Sequence, residues 1–81
     1  MEGANMRKYK ILEPIMLSFL TPQDQYDIIL EPGDKNTLES DGSTIWLIQN
    51  GKRHESITRA NAIEYWLDDV AIVEIHSGEG Q

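Results

Sequence analysis

Between residues 15 and 20 the chain alternates. Ile15, Leu17 and Phe19 fall on one side of an extended strand, and Met16, Ser18 and Leu20 on the other. This is the period of two expected of β structure. The whole stretch from Lys8 to Leu20 reads as extended. Pro14 interrupts it, because proline has no amide hydrogen to give to a ladder and sits at a break or on an edge. After a loop at 21–24, YDIIL at 26–30 forms the next short strand. EPGD at 31–34 is a turn, with proline presetting the first corner and glycine accepting a positive φ at the second. Residues 35–40 make a weak strand.

The best strand signal is TIWLIQ at 44–49, introduced by Asp41-Gly42 and followed by Asn50-Gly51. Both dipeptides favour tight hairpins. Ile45 and Leu47 form one apolar face of this segment and Trp46 and Ile48 the other, which predicts a central strand covered on two sides, with Trp46 in the core. KRHES at 52–56 returns as a polar edge strand, where lysine and arginine discourage further pairing. One helix is expected over about 58–69, with Thr58 (or Ser56) as its N-cap. Ala60, Ile63, Trp66, Leu67 and Val70 share its apolar face, and Asn61, Glu64 and Asp68 lie opposite. AIVEI at 71–75 supplies the last strand. The expected fold class is α+β: a small antiparallel meander of about five short strands with one amphipathic helix packed on it. A single domain spans 8–76, between a flexible N-terminus at 1–7 and a flexible tail at 77–81.

Composition adds a constraint on assembly. A chain of 81 residues buries only about 60 to 65% of the surface its unfolded form exposes. The sequence holds no cysteine, so neither disulfides nor thiolate metal sites add stability, and a homo-oligomer is expected as the remaining device. The longest uncharged apolar run, IMLSFL, is too short to span a bilayer, and MEGANMRKYK has no apolar segment like that of a signal peptide. A cytoplasmic location is expected.

Charge is uneven. Arg7, Lys8 and Lys10 give residues 7–10 a charge of +3, and Lys52, Arg53 and Arg59 against Glu55 give residues 52–59 a charge of +2. The total is −7, so the rest of the chain carries −12. A field of that sign repels nucleic acid at long range and disfavours it as a partner. A protein with a basic face suits it better.

No enzyme is expected, because no catalytic constellation is present. His54-Glu55-Ser56 is not the H-E-x-x-H zinc helix, since position 58 is threonine and the segment reads as strand. A metal shared by His54 and His76 requires the last strand beside 52–56. Neither Ser43 nor Ser56 stands in a G-x-S-x-G elbow, and the glycines sit singly in turns rather than in a phosphate loop. Asp68 and Asp69 point about 100° apart on a helix and do not readily share a proton. No cofactor and no metal ligand follow from the sequence.

The cationic stretch LIQNGKRHESITR, residues 47–59, suggests an anion site instead. Lys52, Arg53 and His54 lead into a helix N-terminus, which carries unpaired amides and partial positive charge. In this reading Arg53, His54 and Arg59 bind phosphate, Ser56 and Thr58 donate hydrogen bonds, and Tyr65 or Trp66 stacks on a base. The structural alternative assigns the cations to edge protection, the hydroxyls to capping and Trp66 to the core. In general character the chain resembles compact accessory proteins of bacteriophages: small, acidic and cysteine-free, though no residue pattern carries the likeness. The resemblance implies action by occupying a host molecule. The expected function is therefore a non-enzymatic binding protein that sequesters an anionic, nucleotide-like signalling molecule of the host. An acidic protein-binding inhibitor, imitating nucleic acid to block a host protein, is the alternative, and a small winged DNA binder a lesser one.

Overall fold

The computed structural model describes residues 6–33 and 35–75. Its elements are β1 (Arg7–Ile11), β2 (Ile15–Leu20), β3 (Gln25–Leu30), β4 (Asn36–Ser40), β5 (Ile45–Gln49), β6 (Lys52–Ser56), α1 (Ala62–Asp68) and β7 (Ile72–Ile75). The fold is α+β as expected, and the described residues form seven antiparallel strands and one short helix. Five strands form a sheet in the order β6-β5-β4-β1-β7, and β2 and β3 form a separate hairpin. The expected tail at 77–81, His76 and residues 1–5 of the expected N-terminal segment lie outside the described residues.

Alternation places the core. Tyr9 and Ile11, Leu38, Ile45 and Leu47, and Ile72 line the inner face of the large sheet. Ile15, Leu17, Phe19 and Leu30 of the hairpin pack against them, and Ile63 of the helix joins the cluster. Pro14 separates β1 from β2 as expected, and the chain turns there while the amides of Leu12 and Glu13 both donate to the carbonyl of Ala71, at 2.7 and 3.1 Å.

The central strand is β4, read from the sequence as weak, and not β5. Pairing on both sides overrides its modest propensity, and its Leu38 is fully buried. Trp46 and Ile48 of β5 are only half-buried, on the outer face of the sheet, which no helix or strand covers among the described residues. The expected core tryptophan is covered instead by a charged side chain: the Arg53 guanidinium lies over its ring, 4.5 Å from the centroid.

The helix is shorter than its sequence pattern implies. It begins at Ala62, with Asn61 in the N-cap position making no side-chain hydrogen bond. Thr58 does not cap it. Its hydroxyl oxygen accepts the amide of Ser18 at 2.9 Å, forty residues away. Ser56 donates its hydroxyl hydrogen to the Ser18 carbonyl at 2.8 Å and accepts the Thr58 amide at 3.0 Å. Ser56 has one hydroxyl hydrogen, so the 2.9 Å contact between the two hydroxyls is donated by Thr58. The Ile57 amide also donates to the Ser18 carbonyl, at 2.9 Å. A closed ring of hydrogen bonds thus fastens the hairpin to the end of β6.

At its other end the helix closes with Ala71 N–H donating to the Trp66 carbonyl at 2.8 Å and Val70 N–H to that of Leu67 at 3.1 Å. This is the Schellman arrangement, which places residue 70 in the left-handed region, at φ 56°. Glycine usually fills that position, and a β-branched residue there is strained. Val70 and Leu67 are accordingly exposed and not part of the expected apolar face.

Two stability outcomes follow. Ser56→Ala leaves the half-buried Thr58 amide without its partner and the Ser18 carbonyl with one donor fewer, and should lower stability by about 2 kcal/mol in urea denaturation with an unchanged m-value. Val70→Gly relieves about 1–2 kcal/mol of left-handed strain against about 0.5–1 kcal/mol of added chain entropy, so the unfolding free energy should rise by a net of up to about 1.5 kcal/mol, read as a higher urea midpoint.

Candidate functional site

The sequence-derived residues do not converge on one hollow. Arg53 and His54 are neighbours on a strand, so their side chains take opposite faces. Register pairs His54 with Leu47 on the inner face and Arg53 with Ile48 on the outer face. Arg53 is occupied there. Besides covering Trp46, its guanidinium meets a Glu39 carboxylate oxygen at 3.5 Å, and the Lys8 ammonium approaches the other oxygen of that carboxylate at 4.0 Å. Ser56 and Thr58 have both hydroxyl hydrogens committed to the clamp, which leaves neither as a donor for a ligand. Arg59 and Tyr65 are exposed, and Trp66 is half-buried against the core. Seven residues of helix, without a side-chain cap, do not assemble the expected anion site around them.

Two hollows stand out among the described residues. The first, of about 370 Å³, lies between the helix and the β4–β5 turn, lined in part by Arg7, Tyr9, Asp41, Asn61 and Glu64. Asp41 is committed to the turn. Its carboxylate accepts the amides of Ser43 at 2.9 Å and Thr44 at 3.0 Å, and these bonds hold its pKa below the usual carboxylate value. Burial, with the Glu74 carboxylate adding to it, pushes the Tyr9 phenol up.

The second hollow, of about 510 Å³, lies between the hairpin and β6. On one wall Phe19 and Tyr26, cross-strand partners in β2 and β3, stack with centroids 5.7 Å apart and planes 21° from parallel. Leu20 lies beside them and Leu47 lines the inner side. The opposite wall holds Arg53, His54 and Glu55. Three consecutive strand residues cannot all reach a hollow with side chains on a single face, so this hollow follows the edge of β6 and meets its backbone. It unites two predicted residues, Arg53 and His54, with an aromatic pair that the sequence reading left out. Arg59, Tyr65 and Trp66 line neither hollow.

The edge itself is chemically open. β6 ends the sheet order, with β5 on its one paired side. Ile57 N–H points away from β5, toward Ser18. Strand amides alternate in direction, so those of Glu55 and Arg53 point the same way as that of Ile57. No strand pairs with them among the described residues. The Asn50-Gly51 turn, with φ of 54° and 78°, fixes the same phase, because Gln49 and Lys52 flank a two-residue loop.

Among the described residues no group of three or more His, Cys, Asp or Glu side chains is placed to hold a metal, and no helix is long and apolar enough to cross a membrane. Comparison with protein-family models, with curated proteins and with solved structures gives no match to this chain.

Proposed function

We propose that the protein is a non-enzymatic binding domain that captures an extended polypeptide segment by strand addition at β6. The observation that supports this reading is the juxtaposition of outward-pointing Arg53 and Glu55 backbone groups with a hollow lined by Phe19, Leu20, Tyr26 and Leu47. Strand addition draws its affinity from main-chain hydrogen bonds along a free edge and its specificity from pockets for alternate side chains. β6 supplies the edge and the hairpin supplies the pocket. The reading is of the same broad kind as the protein-binding alternative drawn from the sequence, but it uses backbone and aromatic surface rather than acidic mimicry.

An aromatic anion is the second reading, favoured by the Phe19–Tyr26 stack standing across the hollow from His54. It keeps the nucleotide-like ligand expected from the sequence but moves the stacking platform from the helix to the hairpin. It is the weaker of the two, because Arg53 turns its charge toward Trp46 and Glu39. Either reading fits an accessory protein that acts by occupying another molecule, in the cytoplasm.

The two readings separate experimentally. Selection from a displayed library of random peptides should return binders whose affinity is lost in Glu55→Pro, since proline removes an outward amide that makes no bond to β5 and is tolerated on an edge. Binders that survive this substitution overturn strand addition. A panel of cyclic and linear nucleotides, followed by melting temperature, tests the second reading: a ligand at a hundred times its dissociation constant stabilises by about 2.7 kcal/mol. No shift with any nucleotide rejects it.

A further inference from the structure

We infer that the strand added at β6 is the β6 of a second copy of this chain, paired antiparallel across a twofold axis centred on His54. The inference rests on the strand-addition reading and names its occupant. Charge complementarity singles out both the partner and the register. The outward backbone groups of β6 belong to Arg53 and Glu55, so a symmetric ladder must pair those residues with each other or with themselves. Centring on Arg53 sets Arg53 against Arg53 and Lys52 against His54. Centring on Glu55 sets Glu55 against Glu55 and draws in Ile57, whose amide already serves Ser18. Centring on His54 sets Arg53 opposite Glu55 of the second copy and Glu55 opposite its Arg53, with Lys52 opposite its Ser56. This register alone places opposite charges face to face, twice.

The side-chain geometry agrees. Arg53 and Glu55 share the outer face of the sheet, beside Ile48 and Trp46. Directly opposite residues of an antiparallel pair share a face, so the Arg53 fork meets the incoming carboxylate on the same face on which it touches Glu39. A guanidinium has five N–H donors and can serve both carboxylates. The flanking hairpin adds apolar surface: Leu20 is 67% exposed and Tyr26 47%, and both stand at the hollow that a second β6 enters. The net charge of −7 opposes association at long range, but exposed charges more than about 8 Å apart are largely screened at physiological salt. β6 itself carries Lys52 and Arg53 against Glu55, so the copies meet away from their acidic surfaces.

Light scattering on the full chain at increasing concentration reads the mass, and amide hydrogen exchange reads the edge. The expected result is a dimer at millimolar concentration, twice the chain mass of 9.2 kDa, with the Arg53 and Glu55 amides protected. Glu55→Arg and Arg53→Glu each set like charges opposite one another at two places and should raise the dimer dissociation constant about tenfold. The double exchange, Arg53→Glu with Glu55→Arg, should restore dimerisation. Glu55→Pro should give a monomer. Arg53→Glu also loses contacts within the chain, so melting temperature is recorded for each variant, and Glu55→Arg, whose side chain makes no ion pair among the described residues, carries the test if Arg53→Glu fails to fold. A wild-type monomer at millimolar concentration overturns the inference, as does a dimer indifferent to both Glu55 substitutions. If the wild type is monomeric but selected peptides protect the Arg53 and Glu55 amides, strand addition stands with another occupant. A dimer with both amides unprotected, in a protein whose selected peptides also ignore Glu55→Pro, removes the inference and strand addition together.

Discussion

Among the described residues, the hydrogen bonds between the two sheets converge on the backbone of one residue, Ser18. Ser18 gives its amide to Thr58 and takes hydrogen bonds on its carbonyl from Ser56 and Ile57, while its own hydroxyl donates to Asp27 across the hairpin at 2.6 Å. The polar groups at this junction are thereby paired with one another, which a half-buried crossing of two sheets requires. Because the ring closes on itself, it fixes where the hairpin sits along β6 as well as that it sits there. The apolar layer beneath it, with Leu17 and Ile45 fully buried, supplies the driving force but is non-directional. The clamp supplies the position.

A second constraint acts on charge. Two of the cations, Lys8 and Arg53, lie on the open face of the large sheet. Across β5, β4 and β1 the outer row runs Trp46, Glu39, Lys8, and across β6, β5 and β4 the next row runs Arg53, Ile48, Thr37. Arg53 bridges the two rows diagonally, lying over Trp46 and reaching Glu39. Arg7, on the other face of β1, pairs with Glu74 at 3.7 Å. Such exposed pairs contribute little individually to stability. Their effect is to cover an apolar ring and to cancel charge locally, so a cluster of cations in the sequence becomes a nearly neutral mosaic in space. No bound anion is required to explain it.

Much of the fold was legible in the chain, and the reasons for the failures are specific. The alternation of Ile15, Leu17 and Phe19, the break at Pro14 and the turns at Asp41-Gly42 and Asn50-Gly51 are local signals, and local signals placed the strands. The centrality of β4 is not local: it depends on β1 returning from thirty residues away to pair with it, and nothing in NTLES announces that. The role of Thr58 escapes a local reading for a related reason. Its sequence neighbourhood offers a helix to cap, but a better-placed acceptor demand comes from Ser18, and the hydroxyl serves only one role. Val70 keeps the helical apolar spacing and yet lies beyond the helix, in a conformation its side chain disfavours. For the site, the opposition of Arg53 and His54 was available from strand period alone. The Phe19–Tyr26 platform was not, because it requires the β2–β3 register and the docking of that hairpin against β6.

That docking also explains why an edge remains. Ser18 meets Ile57, and the next outward-pointing residue of β2 toward its tip is Leu20, which lies at the hollow. There β2 ends. Thr21 turns the chain, donating its amide to the Asp24 carbonyl at 2.7 Å and accepting that of Asp24 on its hydroxyl at 2.9 Å. A hairpin clamped at Ser18 and turned back at Thr21 has no length left with which to follow β6 toward Lys52. Moving the clamp would bring more of the hairpin into register with β6, but a shift of one residue would also turn Leu17 and Phe19 out of the core. The core and the clamp together therefore hold the hairpin short of closure. The Arg53 and Glu55 backbone groups are left facing the gap between the hairpin and β6, where the proposed strand would pair both.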